Sequence, residues 1–265
     1  MPEDFARSSG STQAAPPAPE VRLRGAELEY GGRWLFQGLD LTLAAGRTTC
    51  LLGPSGVGKS SLLRVIAGLA AEACGAVSDG AGRPLSGRIA YMAQRDLLFP
   101  WLTVLDNVML GARLRGERAA DLPDRARALL DQVGLSGHEG DLPATLSGGM
   151  RQRAALARTL MEGRPLVLMD EPFAALDAVT RHELQELAAE LLARCTVLLV
   201  THEPLEALRL GHRVHVMAGR PARLDEALEP AGSPPRALQD PQVISLQGEL
   251  LERLLRARRQ ARQVA

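Results

Sequence analysis

A chain of 265 residues can bury a full core, as one large domain or as a core with a subdomain. Its 46% hydrophobic content is that of a globular protein, and 31 basic against 31 acidic side chains exclude a global pull toward nucleic acid or anionic membrane. No apolar run approaches the roughly 18 residues of a membrane span, and the acidic start Met1-Pro2-Glu3-Asp4 is no secretory signal. Cys50, Cys74 and Cys195 are few, odd in number and without metal-ligand spacing, which suits a reducing cytosol.

Residues 1–19, rich in Ser, Pro, Ala and Gly, read as a disordered tail. Val21-Arg22-Leu23 and Ala26 to Tyr30 alternate in polarity, Gly31-Gly32 turns, and Leu39 to Leu43 alternates again, a pattern of antiparallel strands. Thr48 to Leu52 is a buried strand and Ser61 to Ala67 a helix; Leu85 to Met92 adds a strand. From about 103 to 162 the periodicity is helical, with Asp121 and Ser147 as N-caps. Apolar strands return at Leu166–Met169 and Thr196–Val200, separated by a helical stretch near 178–193, as a parallel core demands. Ser245 to about Gln260 forms a helix with Leu246, Leu250, Leu254 and Leu255 along one face and several arginines. It either packs on the core or touches lipid head groups.

Lys59 is the only lysine, the other 30 of the 31 cations being arginines. It stands in Gly53-Pro54-Ser55-Gly56-Val57-Gly58-Lys59-Ser60, which fits GxxxxGK[ST]. Strand, glycine loop and helix aim backbone N–H groups and a positive helix end at an anion. A compact ammonium reaches β- and γ-phosphate oxygens where a planar fork collides. Ser60 is placed to ligate Mg²⁺. This is the pattern of a nucleoside triphosphate site.

Three later segments add chemistry. Leu146-Ser147-Gly148-Gly149-Met150-Arg151-Gln152-Arg153 opens a long helix, either as a plain N-cap or as a second anion site. Asp170-Glu171 closes an apolar strand: either a solvated strand end, or a Mg²⁺ carboxylate followed by a residue that deprotonates the attacking water. His202 ends the next strand, as a structural histidine or a partner of the γ-phosphate.

In that order, with Gln94 and Ala174-Ala175-Leu176-Asp177 between them, these segments resemble the ATP-binding subunit of ABC transporters from about Val21 to Gly219. The resemblance implies an α/β fold: a RecA-like P-loop ATPase core with an antiparallel β subdomain and an inserted helical subdomain. It implies an ATPase domain over 20–221, its helical subdomain at about 95–162, and a partly helical extension over 222–265. It implies Lys59, Glu171 and His202 as catalytic residues. ATP is held by Tyr30, stacked on adenine, by Gly53 to Ser61 (Ser61 included), by Gln94, and by Ser147, Gly148, Gly149 and Asp177. Mg²⁺ is held by Ser60, Gln94 and Asp170. Ser147 and Gly149 serve the ATP of a second subunit, because the family's site closes between two chains arranged head to tail. Ala174 stands where the family often has Ser, so one hydroxyl contact across that dimer is missing.

Met92 to Val108, with Phe99-Pro100-Trp101 inside it, looks like importers for nitrate, sulfonates or taurine and a branch for the thiamine pyrimidine precursor. The resemblance implies a separate membrane permease, met at Phe99-Pro100-Trp101, and a periplasmic or lipid-anchored binding protein. It places the chain on the cytoplasmic face of the bacterial inner membrane, with no nucleic-acid partner. Phe99 and Trp101 serve as an interface anchor or tuck into the helical subdomain. The competing reading is a non-transport ABC ATPase acting on nucleic acid or ribosomes; a single motif set and a short helical insert argue against it.

Overall fold

The computed structural model describes residues 17–263. Nine strands form one sheet in the order β4-β1-β2-β9-β8-β3-β7-β6-β5. They are β1 (Val21–Tyr30), β2 (Arg33–Leu43), β3 (Thr48–Leu52), β4 (Cys74–Asp79), β5 (Ile89–Met92), β6 (Leu166–Asp170), β7 (Thr196–Val200), β8 (Arg213–Gly219) and β9 (Ala222–Leu224). The helices are α1 (Lys59–Ile66), α2 (Val104–Leu114), α3 (Leu122–Gln132), α4 (Gly148–Met161), α5 (Ala178–Leu191), α6 (Pro204–Leu210) and α7 (Pro241–Gln263).

The five strands β8-β3-β7-β6-β5 are mutually parallel. Their composition explains why. A parallel strand is covered on both faces, so it reads as a continuous apolar run, and β6 and β7 are buried at every residue. Successive side chains go to opposite faces. Cys50 and Leu52, Val167 and Met169, Val197 and Leu199 enter one core with the helices α2 to α7. Leu51, Leu166, Leu168, Leu198 and Val200 enter the other, against Leu62, Leu63 and Ile66 of α1. On the other wing, β1 pairs antiparallel with β2 and β4. Tyr30 faces Arg33 across Gly31-Gly32, whose φ values of 56° and 78° are those of a two-residue hairpin turn. The sheet thus joins a parallel core to an antiparallel wing, and α2, α3 and α4 form a helical group inserted between β5 and β6.

Local chemistry fixes the helix starts. Thr103 Oγ1 accepts from Asp106 N at 3.1 Å and donates to Asp106 Oδ2 at 2.9 Å, which caps α2. Ser147 Oγ accepts from Met150 N at 3.2 Å, so Ser147 is the N-cap of α4. Asp121 stands at the N-cap position of α3 but makes no capping bond; its backbone is already helical (φ −83°, ψ −3°), which turns the carboxylate away from the first-turn N–H groups.

Three further expectations shift. Residues 1–16 of the expected tail lie outside the described residues, but Pro19 is buried and its carbonyl accepts from Thr196 Oγ1 at 2.6 Å, so the ordered chain starts before residue 20. A division at 221/222 falls inside a hairpin, because β9 pairs with both β8 and β2. The C-terminal helix packs through Val243, Leu250 and Ala257, a seven-residue spacing, while Leu255 is exposed. Leu255 lies roughly 140° around the helix from that stripe, so the expected apolar face was drawn too wide. Strands β4, β8 and β9 and helix α6 had no expectation at all; their short runs of mixed polarity carry little periodicity.

Candidate functional site

The chain leaves the middle of the parallel sheet at β3, crosses to the far edge at β5, and returns through β6 and β7 to β3. The carboxyl ends of β3, β6 and β7 therefore open on one crevice, where doubly wound sheets bind ligands. Each of these ends carries part of the expected site.

After β3 comes the loop Gly53–Gly58. Gly53 has φ 150°, and a Cβ built there would lie 2.4 Å from the Met217 carbonyl oxygen, so only glycine lets the loop lie against β8. Pro54, Ser55, Gly56 and Ser60 face outward, whereas the Val57 side chain is buried among Leu62 and Leu63. Val57 can therefore offer a phosphate only its backbone. Lys59 lies across the loop, its Nζ donating to Gly53 O at 2.8 Å and Pro54 O at 3.1 Å. Burial lowers the Lys59 pKa, opposed by the charges of Glu171 and Asp170. An anion laid on the loop restores the favourable partner that burial removes.

After β6 come Asp170 and Glu171. Asp170 is buried, which raises its pKa, while a hydrogen bond from the Ser60 hydroxyl and the Lys59 charge act the other way. A hydroxyl and a buried carboxylate side by side are hard oxygen donors, the set Mg²⁺ takes when water and phosphate complete its shell. Among the described residues no group of three His, Cys, Asp or Glu could hold a metal alone. The residues present fit such a shared site. Glu171 has φ 50°, a left-handed backbone that a non-glycine residue holds only under constraint. The constraint is visible. Glu171 N donates to Val200 O at 2.9 Å, Gln94 Nε2 donates to Glu171 Oε2 at 3.2 Å, and His202 Nδ1 lies 3.3 Å from the same oxygen. Buried Gln152 donates from Nε2 to Pro172 O at 3.0 Å and tethers α4 to this loop. Gln152 had no assigned role; its place inside the Leu146–Arg153 segment was the one sequence signal available.

Tyr30, at the tip of the β1–β2 hairpin, is 47% exposed. Ser147, Gly148 and Gly149 start α4, and a Cβ on Gly149 would meet Ala175 O and Leu176 Cδ2 at 3.6 Å, so this helix end sits against the 174–177 loop. Asp177 Oδ1 accepts from Val179 N and Thr180 N at 3.1 and 3.0 Å, making it the N-cap of α5. The Thr180 hydroxyl, then its N–H, hold that carboxyl below its usual range. Lys59, Ser60, Gln94, Asp170, Glu171 and His202 thus converge; Ser147, Gly148, Gly149 and Asp177 form a second group on α4 and α5.

The family description "ABC transporter" matches residues 36–174, more than half of the chain. The chain belongs to the ABC transporter ATP-binding family. It is an ATPase of that family, and its substrate is ATP. An "Aliphatic sulfonates import ATP-binding protein SsuB 2" of Burkholderia lata is 43% identical over 92% of this chain and 89% of its own. A protein of that kind from Nocardia farcinica is 44% identical over 92% and 93%. An "Uncharacterized ABC transporter ATP-binding protein" of Haemophilus influenzae is 44% identical over 88% and 98%. These matches extend well past Gly219, where the sequence resemblance was expected to fade. Among solved structures, a dimeric post-hydrolysis state of the cassette MJ0796 with ADP and phosphate aligns with a TM-score of 0.71. That match is 28% identical and covers 80% of this chain and 99% of the other. Among the described residues of this family member, no helix is long and apolar enough to cross a membrane.

Proposed function

We propose that this chain is the ATP-hydrolysing subunit of an importer whose solute is a small organic anion of the aliphatic sulfonate class. One observation carries the enzymatic half: the Glu171 carboxylate, held by Gln94 and His202 beside the phosphate loop. The ATP phosphates rest on the N–H groups of 53–61, and Lys59 turns from its two carbonyls to the β- and γ-phosphates. Glu171 takes the proton of the attacking water, and His202 holds the γ-phosphate side of that oxygen. Ser60, Asp170 and Gln94 are the oxygens for Mg²⁺, which when bound offsets phosphate charge and polarises the transferred group. Tyr30 stacks on adenine.

Ser147, Gly148, Gly149 and Asp177 act on the ATP of a second copy, as the dimeric cassette relative supports. Trp101 is 71% exposed and packs edge-on against Phe99, ring centroids 5.4 Å apart. Buried Asn107 accepts from Phe99 N and donates to the carbonyls of Phe99, Leu102 and Thr103, so the loop is stiff where it carries its aromatics. This loop meets the permease, and the subunit sits at the cytoplasmic face of the membrane; a periplasmic or lipid-anchored protein delivers the solute. The sulfonate class is supported by the import names of the relatives.

The test is a vesicle system containing this chain and the permease with which it co-purifies. Uptake of an alkanesulfonate should require ATP and stop in Glu171→Gln. ATP-dependent uptake of nitrate alone would keep the importer reading and sink the sulfonate. Stimulation of hydrolysis by nucleic acid without any permease would sink both.

A further inference from the structure

Four side chains that no catalytic assignment uses are buried together behind the His202 strand end. Glu206 and Arg209 lie on α6, Gln185 on α5, and Arg236 in the segment between β9 and α7; each is less than 5% exposed. Charged groups are rarely buried this deeply unless their partners are specified. Here the partners are close and mostly bonded to one another. Thr201, His202, Glu171 and Glu206 line one small cavity, and the Thr201 hydroxyl beside the Glu206 carboxyl opposes the upward push of burial on its pKa. Gln185 Nε2 donates to Glu206 Oε2 at 2.9 Å, and Arg209 Nη1 donates to Gln185 Oε1. Arg209 Nε donates to Arg236 O at 2.9 Å, and Arg236 N returns a bond to Arg209 O at 3.0 Å. Arg236 then gives its five side-chain donations to five carbonyls, those of Leu208, Gly211, Pro230, Ala231 and Gly232. Two of these close the C-terminal end of α6, where a cation is favoured.

We infer that Glu206 is a positioning residue for the catalytic strand ends, fixing Thr201 and through it His202, with Arg209 and Arg236 anchoring it to the C-terminal segment. Thr201 is a suitable lever. It is buried, its N–H donates to Leu51 O at 3.2 Å just before the phosphate loop, and its Oγ1 accepts from Glu203 N at 3.0 Å. Its N–H therefore ties the end of β7 to β3, and its side chain fixes the 201–203 turn that carries His202 beside Glu171. The C-terminal segment, which holds no phosphate-site residue, becomes part of the catalytic geometry.

The inference rests on the assignment of Glu171 and His202, so the experiment measures both in one assay of the full chain. Glu171→Gln should be nearly inactive; wild-type hydrolysis there would sink the site assignment itself. Glu206→Ala should lower kcat about tenfold or more, the scale of a small misplacement of a catalytic group, with the KM for ATP within about twofold. Thr201→Val should do the same, and the double variant should be no slower than the slower single one. Glu206→Gln keeps an oxygen for Thr201 and should stay within about threefold of wild type. Arg236→Met should lower kcat without raising KM. Losses that multiply in the double variant, or a folded Glu206→Ala with wild-type kcat, would overturn the inference. If Glu206→Ala does not fold, Thr201→Val decides: a loss of kcat of about tenfold or more with KM unchanged supports the inference, and a folded Thr201→Val with wild-type kcat overturns it.

Discussion

The ends of β3, β6 and β7 and the start of α4 both carry groups proposed to meet ATP phosphates, yet they are finished to different degrees. At the strand ends, the working groups already hold one another. Lys59 bonds to the loop carbonyls, the Ser60 hydroxyl stands beside Asp170, and Gln94 and His202 flank Glu171. At the start of α4 the Ser147 hydroxyl is taken up by its own helix, while the N–H groups of Gly148 and Gly149 have no hydrogen-bond partner among the described residues. The first site is closed within one chain; the second presents donors with no acceptor. A helix end of that kind is stable in water but gains most from an outside anion. The difference argues for chemistry residing at the strand ends and its control at α4, supplied by a second copy.

The largest effect separates the two. Glu171→Gln keeps shape and hydrogen bonding but removes the base, so hydrolysis should fall by about 10²–10⁴ while ATP still binds. ATP that is bound and not hydrolysed should then trap two copies, each supplying Ser147 and Gly149 to the other's phosphates. Light scattering should show an ATP-dependent dimer, abolished by adding Ser147→Arg. A monomer at tens of micromolar with ATP, with the permease present as well as without it, would mean that α4 completes no site.

Next comes the strand-end side alone. Lys59→Ala removes the only ammonium, and Lys59→Arg replaces it with a fork too wide to cross from Gly53 O to Pro54 O. Both should lower ATPase activity about a hundredfold. Near-normal turnover in Lys59→Arg would show that charge suffices and that the loop's shape does not select the cation.

A third effect lies at the edge of the first site. Tyr30→Ala should lose about 1–3 kcal/mol of ATP binding if the ring stacks on adenine, with Trp and Phe keeping most of it. Equal binding by all three, measured by titration calorimetry, would place the base elsewhere.

The same contrast governs what was legible in the sequence. The strand-end groups are fixed by short-range patterns: an apolar strand, then Gly53–Ser60; an apolar strand, then Asp170-Glu171; an apolar strand, then His202. Period-two or all-apolar runs locate those strands, and the motifs locate themselves. The role of Gln152, and the network of Gln185, Glu206, Arg209 and Arg236, were not legible. Their meaning comes from burial and from bonds that join distant elements, 20 to 28 positions apart, and isolated Gln, Glu and Arg read as solvated. The parallel core was readable because its strands are apolar on both faces, whereas β8 and β9 were not, since each is half-buried. Asp121 shows the converse failure: a capping residue type at a helix start, with a backbone that leaves its carboxylate unused.

The smallest effect concerns the opposite end of β3 and serves as a control on the first three. There His212 Nδ1 accepts from Thr48 N at 3.0 Å, so the ring must be neutral on that nitrogen. Burial lowers its pKa to about 4, reinforced by the charges of Arg47 and Arg236. An unfolded histidine titrates near about 6.5. Between those values the unfolded chain binds the extra proton, so stability rises with pH across the window and is lost as pH falls through it. His212→Gln retains an acceptor for Thr48 N but cannot titrate. Urea midpoints should therefore favour wild type at pH 7.5, with the gap narrowing by pH 5; parallel midpoints would show that this ring carries no pH-dependent load. A narrowing gap would also mean that acid-side losses of hydrolysis contain a stability component from the far end of β3, which must be subtracted before any titration is assigned to Glu171.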